Sequence, residues 1–224
     1  MFITKGASNF LIVIFFILTS NFCFAQSSEF KGWSSVEYGF DINEILKINL
    51  SQHFRLKEDL NVIDTYITES DISFELIKKL KLLGQLRYYS RNDNFGGIQG
   101  FENMMRYRFG IEKKLNSNKL NFELRFAYQN RFSLDRENRS KKRIRIRPLI
   151  ELKMIDWTNN PKIFFEYFDE IKGNDQKVYR YGISKKINTN KSQSITLRYL
   201  YQKYIEKYTS NSSANIISVK YSFN

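Results

Sequence analysis

From Leu120 to Phe132 the chain reads LNFELRFAYQNRF, with Leu120, Phe122, Leu124, Phe126, Tyr128 and Phe132 on one parity and Asn121, Glu123, Arg125, Gln129 and Arg131 on the other. Successive side chains of an extended strand point to opposite faces, so a period of two predicts a strand with one apolar and one charged face. The theme recurs. Leu46, Ile48, Leu50 and Phe54 oppose Lys47, Asn49, Ser51, His53 and Arg55; Met105, Tyr107, Phe109 and Ile111 oppose Arg106, Arg108 and Glu112; Ile144, Ile146, Ile150 and Leu152 oppose Arg143, Arg145, Arg147 and Glu151. Residues 66–76, 82–88, 163–167, 179–183, 197–201 and 217–223 alternate in the same way, and Trp33–Phe40 makes a first strand. No helical period competes with this pattern.

Each alternating segment runs to roughly ten residues, the length a tilted strand needs to cross a bilayer and about twice that of an ordinary soluble strand. Tight connections are expected around residues 42–43, 77–78, 115–119, 157–161 and 188–191. Longer, more polar ones are expected at 57–64, 92–100, 133–141, 172–175 and 206–213. Short turns on one rim and longer loops on the other predict an all-β chain folded as an antiparallel up-and-down transmembrane β-barrel. About eleven segments are visible, but bacterial single-chain barrels normally have an even strand number, so twelve strands are expected, with ten as the next choice. If the short-turn rim faces the periplasm, the first strand begins on the outer side. Tyr88, Trp157, Tyr167 and Tyr201, near strand ends, are candidates for aromatic girdles. A soluble sandwich also alternates. Strand length, the scarcity of Pro and Gly within strands, and the separation of charges from aromatics by parity favour the barrel, the one sheet that pairs all its backbone groups in lipid. On this orientation an Arg at Leu124 costs about 2–4 kcal/mol, whereas an Arg at Ala127 on the lumen face is better tolerated where space allows.

Composition adds location. The 224 residues suit one domain, and 36 Lys and Arg against 23 Asp and Glu give a net charge of +13. Residues 1–25 read as a cleaved signal peptide: Lys5 starts it, Phe10–Leu18 is uninterrupted apolar chain, and Cys23-Phe24-Ala25 places small residues where a signal peptidase cuts. The barrel domain is then residues 26–224. Cys23 is the only cysteine, and Phe22 before it disfavours a lipid anchor, so the mature chain has no thiol, disulfide or cysteine metal site. His53 is the only histidine, which argues against a transition-metal centre. No cofactor is expected. Nucleic acid is not expected as a partner either, because the arginines are distributed by strand parity and not gathered in one run. The expected partners are outer-membrane lipids, lipopolysaccharide and the machinery that assembles barrels.

The charged parity is the strongest polar feature. Arg87, Arg106, Arg108, Arg125, Arg131, Arg143, Arg145 and Arg147 share it with Glu112, Glu123, Glu151 and Glu166. Such a ladder fills a narrow lumen with paired charges, or it lines a passage or site for small anions. Ser51 and His53, two apart on one strand face, resemble the serine–histidine arrangement of outer-membrane lipid hydrolases. Their order is reversed, and they sit with Lys47, Asn49 and Arg55 on the lumen parity, so a hydrolase is the first alternative. A soluble periplasmic β-protein binding an anionic ligand is the second. Phe95–Gly100 (FGGIQG) lacks the Lys-Ser/Thr of a phosphate loop, and Glu166 with Glu170 lacks the companions of a glycosidase pair.

Trp33, Glu102–Leu115 (ENMMRYRFGIEKKL), Arg143–Leu152 (RIRIRPLIEL), Pro161–Glu170 (PKIFFEYFDE) and Tyr179–Ile187 (YRYGISKKI) resemble the outer-membrane β-barrel family of Bacteroidetes-type bacteria grouped as "domain of unknown function 2490". The resemblance covers the mature chain and implies a barrel in the bacterial outer membrane with no assigned activity. The final strand carries Ile217, Val219, Tyr221 and Phe223 in phase, as barrel-assembly signals do, with Asn224 added after the aromatic residue.

Overall fold

The computed structural model describes residues 28–93, 100–137, 139–154, 159–172, 176–205 and 212–223. The expected signal peptide, Trp157 and residues 95–99 of FGGIQG lie outside the described residues. Eleven strands follow one another: β1 (Ser28–Asp41), β2 (Leu46–Lys57), β3 (Val62–Ile77), β4 (Leu80–Asp93), β5 (Gly100–Asn116), β6 (Leu120–Ser133), β7 (Ser140–Leu152), β8 (Lys162–Lys172), β9 (Lys177–Asn188), β10 (Gln193–Ile205) and β11 (Ser212–Phe223). Each pairs antiparallel with the next, and β1 closes the barrel on β11.

The expected twelve strands are therefore eleven. An odd number leaves first and last strands pointing the same way, and here they pair in parallel from Ser28↔Ser213 to Tyr38↔Phe223. Parallel bonds are slanted and slightly weaker than antiparallel ones, but they close the wall. The start of β1 and the end of β11 consequently lie on opposite rims, β1 beginning beside the loop at 58–61 and β11 ending beside the turn at 42–45.

Loop lengths distinguish the rims less than expected. The β2–β3 connection is only residues 58–61, whereas β7–β8 spans 153–161. Glu58, Asp59 and Leu60 have φ of 51°, 56° and 72°, a left-handed run that L-residues rarely adopt. Two contacts from β1 hold it: Asp59 Oδ1 accepts from the Phe30 N–H at 2.9 Å and Glu29 Oε1 from the Glu58 N–H at 2.8 Å. On the other rim, Asn43 Oδ1 accepts from the Ile45 and Leu46 N–H groups and closes the first turn.

Alternation converts directly into an outer and an inner wall. Val36, Leu50, Ile72, Leu86, Phe109, Phe126, Ile144, Ile163, Tyr181 and Val219 are all exposed. On β10 the outward Leu197, Tyr199 and Tyr201 are half-buried. Near strand ends Tyr88 is exposed, and outward rings meet in pairs such as Tyr66–Phe101 (6.0 Å), Tyr38–Phe223 (6.2 Å) and Tyr167–Tyr179 (5.2 Å). Pro148 sits in mid-wall, and the β7–β8 ladder skips the pairs that Arg147 and Pro148 would make, since proline has no N–H to donate.

The inner wall is not purely polar. Leu149, Phe164, Gly182, Leu200 and Ile216 are consecutive cross-strand neighbours from β7 to β11, and Ile67, Tyr89 and Met104 form a second such row across β3 to β5. Both rows are buried, with Trp33 packed against the first. Their apolar side chains form two separate inward clusters, each packed as a small piece of core. Gly182 makes room for this: a Cβ there collides with the Phe164 ring and lies 2.8 Å from Leu200. Gly182→Ala is expected to lower barrel stability by about 1–3 kcal/mol through overpacking, read from the urea midpoint of the folded protein.

The space that would let an Arg at Ala127 be tolerated is lacking. Ala127 is buried, its Cβ would be 2.9 Å from a Cβ built on Gly110, and its partner in β7 is Arg145. An Arg there meets both a lack of space and a like charge.

Candidate functional site

The inner wall brings most of the expected charged residues into ion pairs. Glu166, 3 % exposed on β8, accepts from Arg145 of β7 and at 2.8 Å from Arg180 of β9. Arg180 also donates from Nε to Gln202 at 2.9 Å. In a second group, Arg125 pairs with Glu112, Arg147 donates to Glu123 at 2.6 Å, and Lys114 lies 3.5 Å from Glu112. In a third, Arg87 pairs with Glu69, while Arg108 lies 3.4 Å from Asp71 and Arg106 donates to Gln85. Arg143 donates to Gln176 and is 3.9 Å from Glu170, whose closer partner is Lys141 at 2.9 Å. Glu151 stands near the turn rim, 3.9 Å from Lys162.

These pairs follow from strand register. Glu112, Arg125 and Arg147 are direct cross-strand neighbours, and Arg180 faces Glu166 across β8–β9. Opposite charges in register attract at short range, and the surrounding wall keeps water from screening them. Arg131 is the exception. Among the described residues no carboxylate oxygen lies within the 4.0 Å ion-pair limit of its guanidinium.

Aromatic rings inside the barrel are a component the parity reading missed. Trp33 meets two guanidinium groups, Arg55 at 4.1 Å and Arg180 at 5.3 Å from its ring centre. Arg145 and Arg180 both sit over Phe168, at 5.2 and 5.1 Å, and Arg198 over Phe164 at 5.5 Å. Ring faces carry partial negative charge and hold cations where carboxylates are too few. A signal was present in the FFEYF of residues 164–168, where apolar side chains occupy both parities.

Ser51 and His53 both face inward on β2. Ser51 is 5 % exposed, and neither its Oγ nor the His53 Nε2 has a hydrogen-bond partner among the described residues. His53 instead points Nε2 at Glu69 Oε1, 3.6 Å away. Activation of a serine needs a histidine within hydrogen-bond reach of its oxygen. Glu166 and Glu170 likewise both face inward, each held by cations. Among the described residues no cluster of three or more His, Cys, Asp or Glu is suited to a metal, and no helix is long and apolar enough to cross a membrane.

Comparison with curated proteins gives no match. A family model described as "Protein of unknown function (DUF2490)" matches residues 30–213, from early in β1 to the start of β11. Because that match takes in nine whole strands of the barrel, β2 to β10, and most of β1, the chain belongs to the DUF2490 family.

Proposed function

We propose that this protein is an outer-membrane β-barrel of a Gram-negative, Bacteroidetes-type bacterium, exported with a cleaved leader at residues 1–25. The observation that carries the reading is the outer wall. Large apolar side chains cover it on strand after strand, with Phe109 63 % and Val36 52 % exposed. A soluble monomer rarely exposes a contiguous apolar patch beyond a few hundred Å². In lipid that surface is solvated, and closure of the barrel pairs the backbone.

The interior serves structure first. Two apolar rows and several ion-paired groups occupy it, so any passage is restricted to small solutes, and the excess of arginine favours anions. Lipids and lipopolysaccharide contact the outside, and the terminal aromatic strand β11 is the element offered to assembly machinery. No reaction is assigned to Ser51 and His53, which lie unbonded to each other behind the wall.

Cell fractionation and heat-modifiable gel migration test this reading. The protein is expected in the detergent-extracted envelope fraction, migrating faster unheated than boiled. Recovery in the periplasm without detergent would instead establish a soluble β-protein.

A further inference from the structure

One row of the inner wall carries too much positive charge for its partners. Glu69, Arg87, Arg106, Arg131 and Lys141 are successive cross-strand neighbours from β3 to β7. Four cations in register repel one another, since like charges directly opposite are destabilising. Among the described residues the close carboxylate contacts fall at the two ends: Glu69 takes Arg87, and Glu170 takes Lys141.

The middle is left open. Arg106 is 4.0 Å from Glu69 and donates to the neutral Gln85, while its Nε is buried without a partner. After the Tyr89 side chain, which favours the charged form, the groups acting most strongly on Arg131 are Arg91, Arg106 and Arg139, all cations. Nearby, the Arg143 Nε is also buried without a partner, and the Tyr89 ring stands 5.7 Å from the Arg106 guanidinium. The row lies toward the loop rim, Arg131 being close to the end of β6 at Ser133.

From this we infer that the Arg106–Arg131 row is a binding site for a multivalent oxyanion of the phosphate type, entering from the loop rim. Guanidinium groups present paired N–H donors that match the oxygens of phosphate or carboxylate. A doubly charged anion between Arg106 and Arg131 offsets the repulsion of the row and gives the unpartnered donors acceptors. Chloride lacks the spaced oxygens, and acetate carries half the charge, so both bind more weakly. The inference deepens the reading of an anion-favouring interior, but it depends on the barrel and not on where the barrel resides.

The test is titration of the detergent-folded protein with inorganic phosphate, with acetate and chloride as comparison arms. Folding is checked in every sample by heat-modifiable migration. Saturable phosphate binding is expected, tighter than acetate. Arg131→Gln should weaken it at least about tenfold, the scale of one charged hydrogen bond, and Arg106→Gln should act in the same direction. Arg198→Gln, which removes an inward arginine lying over Phe164, should change the affinity less than about twofold. Without phosphate, Arg131→Gln should melt no lower than the parent, because it removes repulsion. Absence of saturable phosphate binding by the folded parent overturns the site. So does equal weakening by Arg131→Gln and Arg198→Gln, or a lower melting temperature of Arg131→Gln in phosphate-free buffer. A protein that proves soluble without detergent overturns the membrane reading and leaves this titration to be run in plain buffer.

Discussion

Glu166→Gln is expected to destabilise the folded barrel by about 3–5 kcal/mol, measured as the shift in urea midpoint of the detergent-folded protein. Glu166 is 3 % exposed and is, among the described residues, the one carboxylate in ion-pair contact with both Arg145 and Arg180. Gln preserves size and one acceptor oxygen, so the substitution isolates the charge. Two guanidinium groups, with side chains 11 % and 18 % exposed, then share only the Phe168 ring between them. An uncompensated buried charge costs several kcal/mol, far more than the net gain from forming such a pair. Adding Arg145→Met should recover part of the loss, because one of the two stranded charges is gone. Glu151→Gln gives the scale. Its carboxylate is 25 % exposed and 3.9 Å from a half-exposed Lys162, and loss of such a pair is worth about 0–1 kcal/mol.

How far the sequence revealed this arrangement depends on which property is read. Parity was legible: Phe122 and Phe126 point outward, Arg125 and Gln129 inward, as the alternation of LNFELRFAYQNRF requires. Even the eleven segments were visible one by one, and only the general preference for even numbers pointed to twelve. Register was not legible, because it depends on loop closure and on all the neighbouring strands together. Register decides whether Glu112 meets Arg125, or whether Arg106 meets Arg131. The inward apolar rows were hidden for the same reason. Leu149, Phe164 and Leu200 are scattered in sequence and become one layer only when their strands are aligned. Trp33 could be placed on a strand, but its contact with Arg55 and Arg180 joins residues from three separate strands.

Phe109→Arg is expected to cost about 2–4 kcal/mol in a lipid bilayer, read from unfolding of the barrel reconstituted in vesicles. Phe109 occupies the middle of β5 and is 63 % exposed, flanked by Tyr107 at 5.7 Å. The cost has nothing to do with packing, since so exposed a ring loses few protein contacts on replacement. It comes from placing a guanidinium in hydrocarbon, and it therefore depends on depth. Leu115, 55 % exposed near the end of the same strand, is the internal comparison. Leu115→Arg reaches the polar interface and should cost about 0–1 kcal/mol. A soluble barrel predicts no such gradient: both positions face water, exposed substitutions there stay within about 0.5 kcal/mol, and the added charges would improve solubility. A cost at Phe109 that vanishes at Leu115 is thus a property of the solvent around the barrel. Two equal, near-zero costs would mean that this apolar wall faces water and not lipid.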